Sequence, residues 1–386
     1  LVEYPHGCVE QTMSRFLPTM LMRKTLQDAG VDLDTIRKRI EQQAAQDPKL
    51  AARYKHRLER WNRNPVYSKA EVDAMIAAGL KRLADMQHGD GGWGWWKQGS
   101  SDPYMTAYVV SGLVIARDCD ADVPAGMIER GAKFLAARAA TPKVDDRQDW
   151  WYRHIDNDNT RAYVLYALGR ADAKQLRQAK IAAELKRLFD ARDELSDCGR
   201  AMLAMALRAA GKGNEATVVV ENLENTAILD EKLGTAHWGQ IDGWWYWYHG
   251  ATETTSWVLQ AMLDVRPDDK HVPMAVNWLV ANRREGYWHN TKTTAMAVYA
   301  LARYAKVAGE LDCDQTFEVT FGGVTRTVHV TRENVFTAED RVVIPAGQLP
   351  PGKHAVKVVR KGKGNLYWGA YAKFFTKEDP IRGGGN

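Results

Sequence analysis

The chain has 386 residues, with 53 Lys and Arg against 48 Asp and Glu, a formal net charge of +5, and 14 tryptophans. The basic excess is small and spread along the chain, so charge gives no reason to expect nucleic acid or an anionic membrane as partner. No apolar run is long enough to cross a bilayer and nothing reads as a signal peptide. The length suits one large domain or two.

The first stretch is the most informative. Gly7-Cys8-Val9-Glu10-Gln11 follows Tyr4-Pro5-His6 and precedes an apolar, helix-forming run of Met13, Phe16, Leu17, Met20 and Leu21. If a helix starts near Gln11 and Gly7 lets the chain turn tightly into it, the Cys8 sulfur and the Gln11 side-chain carbonyl can meet. A thiolate is more readily formed near a helix N-terminus, where unpaired N–H groups favour negative charge. Attack on the Gln11 amide with loss of ammonia would give an intramolecular thioester. Such a bond is a stored acyl donor for amines, hydroxyls or water. The plainer reading is a buried, inert cysteine beside a helix-capping glutamine. With its flanks, Tyr4-Pro5 ahead and Thr12-Met13-Ser14 behind, the motif resembles the thioester motif of the alpha-2-macroglobulin and complement family, in its bacterial branch. The resemblance makes Cys8 the leaving thiol and Gln11 the source of the acyl carbon, with Gly7 and Glu10 as motif support. It implies no cofactor beyond the internal cross-link.

Residues 12–28 read as a first helix, ended by Gly30. Residues 32–66 are rich in charge and poor in large apolar side chains, which predicts a charged helical insertion. From about residue 67 to 304 the chain repeats itself. Tyr104-Met105-Thr106-Ala107, Asn159-Thr160-Arg161-Ala162, Thr254-Thr255-Ser256-Trp257 and Thr293-Thr294-Ala295-Met296 each open an apolar run, with a weaker copy at Gly199-Arg200-Ala201. Their period suits two helices per repeat. Amphipathic helices alternate with them over 70–86, 127–139, 172–190 and 272–282. Apolar inner helices and one-faced outer ones predict a mainly α fold, an α/α toroid built as a ring of helical hairpins. The Gly- and Trp-rich turns at 89–96, 237–245 and 286–288 resemble those of terpenoid cyclases, prenyltransferase β-subunits and the thioester domain. Their tryptophans read as packing rather than ligand contacts.

The character changes near residue 312. Stretches 316–321, 325–331, 341–344, 354–360 and 365–375 alternate or are β-branched, with Gly and Pro turns between them. They predict a small antiparallel β unit of four or five strands. The division expected is 1–311 for the toroid, 312–378 for the β unit and 379–386 for a disordered tail. The resemblance implies that the β unit is part of a CUB-like domain in a larger parent, and the chain, beginning at Leu1, reads as a piece cut from it.

Tyr4 is a candidate shield keeping water from the thioester, with Trp93, Trp95 and Trp96 on the same surface. In complement proteins a histidine takes over the acyl group and directs it to hydroxyls. His154 is the one histidine in the matching region here, and is the candidate acyl-transfer base; a structural histidine is the plainer reading. Asp156-Asn157-Asp158-Asn159 lacks the spacing of a calcium loop and suits helix capping. Cys8, Cys119, Cys198 and Cys313 show no disulfide framework and no zinc spacing. The family resemblance implies a single-turnover covalent trap rather than a catalyst. After a protease cuts a bait region elsewhere in the parent, the thioester acylates an amine of that protease or another target. It also implies a periplasmic or cell-surface parent. The alternatives are a non-reactive binding module on the same fold, or a cyclase- or prenyltransferase-like enzyme. The acidic run and zinc ligands of those enzymes are missing from the sequence.

Overall fold

The computed structural model describes residues 5–28, 69–142, 157–240, 250–283 and 288–310, most of 312–370, and isolated helical positions between 38 and 59. The chain divides into two compact units, Leu1–Leu311 and Asp312–Asn386.

In the first unit, eleven described α-helices run in chain order: α1 (Val9–Asp28), α2 (Lys69–Asp85), α3 (Pro103–Asp118), α4 (Met127–Ala139), α5 (Asp158–Ala171), α6 (Ala179–Asp190), α7 (Asp197–Ala209), α8 (Gly213–Asn225), α9 (Ala251–Val265), α10 (His271–Ala281) and α11 (Thr291–Val307). The odd-numbered helices pack in sequence, α1 on α3, α3 on α5, α5 on α7, α7 on α9, α9 on α11, and α11 returns to α1. They therefore close a ring. The even-numbered helices lie outside, each against neighbouring inner ones. Burial follows this arrangement. Every residue of α9 from Ala251 to Leu263 is buried. In α2 only one stripe is, Val72, Met75, Ile76, Gly79, Leu80 and Leu83. An inner helix is covered by ring neighbours and an outer partner, whereas an outer helix keeps one face in water. The unit is the expected α/α toroid.

Three inner turns are built on one device. The indole N–H of Trp93 donates to the Leu83 carbonyl in the last turn of α2 (2.8 Å), and its backbone N–H donates to Thr106 Oγ1 of α3 (2.9 Å). Trp238 does the same with Leu223 of α8 and Thr255 of α9, and Trp288 with Leu279 of α10 and Thr294 of α11. Each tryptophan thus bonds a carbonyl in the last turn of an outer helix and is seated by a threonine near the start of the next inner one. All three are buried. Three of the repeated threonines, Thr106, Thr255 and Thr294, are the seats of these tryptophans.

Local signals set the helix starts. Asp102, Asn157, Ser196 and Asn290 accept bonds from Met105, Thr160, Gly199 and Thr293 backbone N–H groups as N-caps. Capping is therefore the role of Asn157. α1 begins three residues before the expected start and carries Pro18 in its interior. Two short strands, β1 (Ile228–Asp230) and β2 (Thr235–His237), pair as a hairpin between α8 and α9. No sequence signal marks this hairpin, because β1 is wholly exposed and has no alternating face.

The second unit holds β3 (Asp314–Phe321), β4 (Val324–Thr331) and β5 (Lys357–Lys363) in one antiparallel sheet of order β4-β3-β5. Among the described residues this sheet has three strands, not four or five. Residues 342–345 stay out of it. Val343 is 62 % exposed, and Pro345, which has no N–H to give a ladder, leads into a 3-10 turn over Ala346–Gln348. Residues 365–368 also lie outside the ladder, and the remainder of 365–375 falls almost wholly outside the described residues, as do the 32–66 insertion and the 379–386 tail.

Candidate functional site

The motif occupies the turn into α1. Gly7 has φ +84°, in the left-handed region that favours glycine. The turn folds the Gln11 side chain back over it. A Cβ at position 7 would lie 1.8 Å from Gln11 Oε1 and 2.8 Å from its amide carbon. Glycine is required here twice, for its dihedral angle and for the space the Gln11 amide fills.

This turn brings Cys8 and Gln11 together. The Cys8 backbone N–H donates to Gln11 Oε1 at 3.1 Å, and the Gln11 backbone N–H points at Cys8 Sγ at 3.5 Å. The sulfur and the amide are thus held crosswise, each facing the other residue's backbone donor. Cys8 is 7 % exposed, while Gln11 lies at the surface. The Cys8 carbonyl accepts from Thr12 N–H and Thr12 Oγ1, both at 2.9 Å, which fixes the first turn of α1.

Two neighbouring elements hold the motif. The Val9 N–H donates to the Trp95 carbonyl at 3.0 Å, so the Gly-Trp turn before α3 buttresses the start of α1. On α2, Arg82 donates from one guanidinium nitrogen to the Gly7 carbonyl (2.5 Å) and from Nε to Thr12 Oγ1 (3.2 Å). Nothing in the sequence singled out Arg82. It lies some seventy residues away, on an ordinary amphipathic helix.

Glu10 faces inward. It is 3 % exposed and accepts from Ser14 Oγ at 2.5 Å, and Ser14 lies 3.5 Å from the Tyr108 hydroxyl of α3. Burial, and next the charge of Glu10, pushes the Tyr108 hydroxyl well above its ordinary pKa. A second buried pair lies in the ring: Lys292 of α11 sits 3.0 Å from Glu253 of α9 and donates to the Tyr104 hydroxyl of α3 at 3.1 Å. Burial, then the Glu253 charge, pushes the Cys198 thiol well up, which makes it an inert core cysteine.

The expected shield is corrected in part. Trp93 is fully buried beneath the end of α2 and cannot cover the motif. Trp95 meets Val9 through its backbone, and Trp96 is 56 % exposed. Tyr4 and His154 lie outside the described residues.

A family model described as the A-macroglobulin TED domain matches residues 1–304. The chain belongs to that family. Among its relatives, the alpha-2-macroglobulin of Thermotoga maritima is 25 % identical over 272 residues, covering 69 % of this chain and 14 % of that protein. The chain resembles the solved structure of Escherichia coli alpha-2-macroglobulin activated by porcine elastase, with a TM-score of 0.52 at 19 % identity, covering 88 % of this chain and 26 % of that one. It likewise resembles Salmonella alpha-2-macroglobulin reacted with methylamine, with a TM-score of 0.53 at 19 % identity, over 87 % and 19 % of the two chains. The chain spans about a seventh of the length of the Thermotoga protein. The family is the one that residues 4–14 resemble, and its fold in these structures is the toroid seen here.

Proposed function

We propose that Cys8 and Gln11 form an internal thioester, and that the domain is the acylating part of a larger protease-trapping protein. The crosswise pairing of the two residues over Gly7 carries this reading. In formation, Cys8 Sγ attacks the Gln11 amide carbon. The C–S bond forms, the C–N bond breaks, and the thiol proton leaves with the nitrogen as ammonia. In discharge, a primary amine attacks the same carbon. The C–N bond forms, the C–S bond breaks, and the proton released by the amine passes to the Cys8 sulfur. Each step is redox-neutral. The bond is consumed once, so the domain is a single-turnover reagent.

The relatives support the rest of the reading. One solved neighbour was reacted with methylamine, a small amine of the kind this chemistry consumes, and another was activated by a protease. By that likeness the amine is a lysine of an attacking protease or of another surface, and the remaining domains of the parent supply bait, shield and placement. A bacterial parent working in the periplasm or at the cell surface fits such a target. No helix among the described residues is long and apolar enough to cross a membrane.

The test is covalent labelling. Incubated with a fluorescent primary amine and then denatured, the chain retains the label at residue 11. Cys8→Ser and Gln11→Ala retain none while keeping the helical signal. Equal labelling of Gln11→Ala would sink the proposal, and so would a wild-type chain that takes up no label while still carrying an unmodified Gln11.

A further inference from the structure

We infer that the Gly7–Cys8 peptide group is the oxyanion site of the thioester, with the Cys8 N–H as donor and Arg82 as the residue that positions and polarises it. The inference rests on the thioester reading above and extends it to a residue that reading does not use.

A trans peptide points its C=O and N–H in opposite directions. Here both ends of one such group are engaged. The N–H holds Gln11 Oε1, the oxygen on the carbon that reacts, and the C=O is held by the Arg82 guanidinium. During attack on that carbon, by Cys8 Sγ in formation or by an amine in discharge, negative charge collects on this oxygen. A donor already within hydrogen-bond distance of it stabilises that charge without reorganising. A charge-assisted bond at the carbonyl end draws electron density out of the amide and strengthens the N–H at the other end. The second Arg82 bond, to Thr12 Oγ1, ties the guanidinium to the group that fixes the Cys8 carbonyl. Arg82 therefore grips the motif on both sides of Cys8.

The charge balance around Arg82 favours this role over a plain surface ion pair. Asp85 stands three residues along the same helix, yet its carboxylate bonds Lys97 at 2.8 Å. Among the described residues, both hydrogen bonds of Arg82 go to the motif. Sulfur has its own donor, the Gln11 N–H, which meets the charge on the departing thiolate. The two backbone donors thus divide the work, one for the acyl oxygen and one for the leaving group.

The experiment compares the full chain with Arg82→Met and Arg82→Lys, each carrying glutamine labelled with carbon-13 at the side-chain carbonyl. Two quantities are read: the rate of Cys8 thiol release by methylamine, and the infrared band of the labelled thioester carbonyl. We expect Arg82→Met to react roughly tenfold more slowly, less than the loss of a direct oxyanion donor, because Arg82 acts through the peptide. Its carbonyl band should move to higher frequency as the hydrogen bond weakens, and Arg82→Lys should recover part of both. An Arg82→Met chain with wild-type rate and band overturns the inference. If that variant folds but never forms the bond, the formation step needs the same site, which supports it. If it does not fold, Arg82→Lys decides: a shifted band with slower release supports the inference, and wild-type values overturn it. A wild-type chain that forms no thioester overturns the thioester reading itself, and this inference falls with it.

Discussion

At the scale of single residues, the site is a matter of which side chain is absent. Gly7 has no Cβ, so the Gln11 amide lies across it and meets the Cys8 N–H. Gly7→Ala should abolish amine incorporation at residue 11, since the new methyl group occupies the place of the acyl oxygen and φ +84° opposes it. Amine labelling of the variant checks this, and labelling at the wild-type level would contradict it. Of this site, Gly7, Cys8 and Gln11 were legible in the sequence, because they lie within five residues and act through local geometry. Arg82 was not, since its contact spans the gap between two helices and its own helix shows only ordinary amphipathic spacing. Trp93 turns inward to bond the Leu83 carbonyl of α2, which fits the packing reading of the Gly- and Trp-rich turns and removes it from the shield.

At the scale of elements, the ring depends on its Trp–Thr turns and on a few buried ion pairs. Thr255→Val keeps the shape but leaves the Trp238 N–H unpaired in the core, and should cost about 1–3 kcal/mol of stability, read by chemical denaturation. Loss of less than a few tenths would mean that the seat is only incidental. Between α5 and α6, Arg161 and Arg187 both bond Glu184, at 3.0 and 2.8 Å. Burial alone would raise the Glu184 carboxyl, but the hydrogen bonds and charges of Arg187 and Arg161 outweigh it and hold it below the usual carboxylate range. A depressed folded-state pKa gives stability that is present above the unfolded value and lost as pH falls through the folded one. Thermal melts should therefore place Glu184→Gln well below wild type at neutral pH, with the gap closing in acid. A gap constant across pH would contradict this. The alternation of inner and outer helices was readable because burial on all sides and burial on one face leave different spacings. Among the described residues the strand count was less readable, because 342–345 have the β-branched character of a strand yet join no ladder.

At the scale of the whole molecule, α1 both carries the motif and closes the ring against α11. Reactivity and global stability are therefore coupled. Lys292, whose ammonium joins α11 to Glu253 of α9 and Tyr104 of α3, tests that coupling. Lys292→Met takes the ammonium away from the buried Glu253 carboxylate and should cost about 3–5 kcal/mol, with faster hydrogen exchange in α1 as well as α11. Exchange confined to α11 would mean that the ring does not respond as one body. The closed ring itself was foreseen from the alternation of apolar and one-faced helices and from the Gly- and Trp-rich turns, whereas the residues that cross it were not, since pairs such as Tyr104 and Lys292 have no sequence relation. The central claim remains the bond between Cys8 and Gln11. Its most direct test is the intact mass of freshly purified chain, with peptide mapping of residue 11 before and after methylamine. The account predicts a chain lighter by one ammonia with no titratable Cys8 thiol, then gain of one methylamine at residue 11 and release of that thiol. An unmodified Gln11 beside a free Cys8 thiol, unchanged by methylamine, would contradict it.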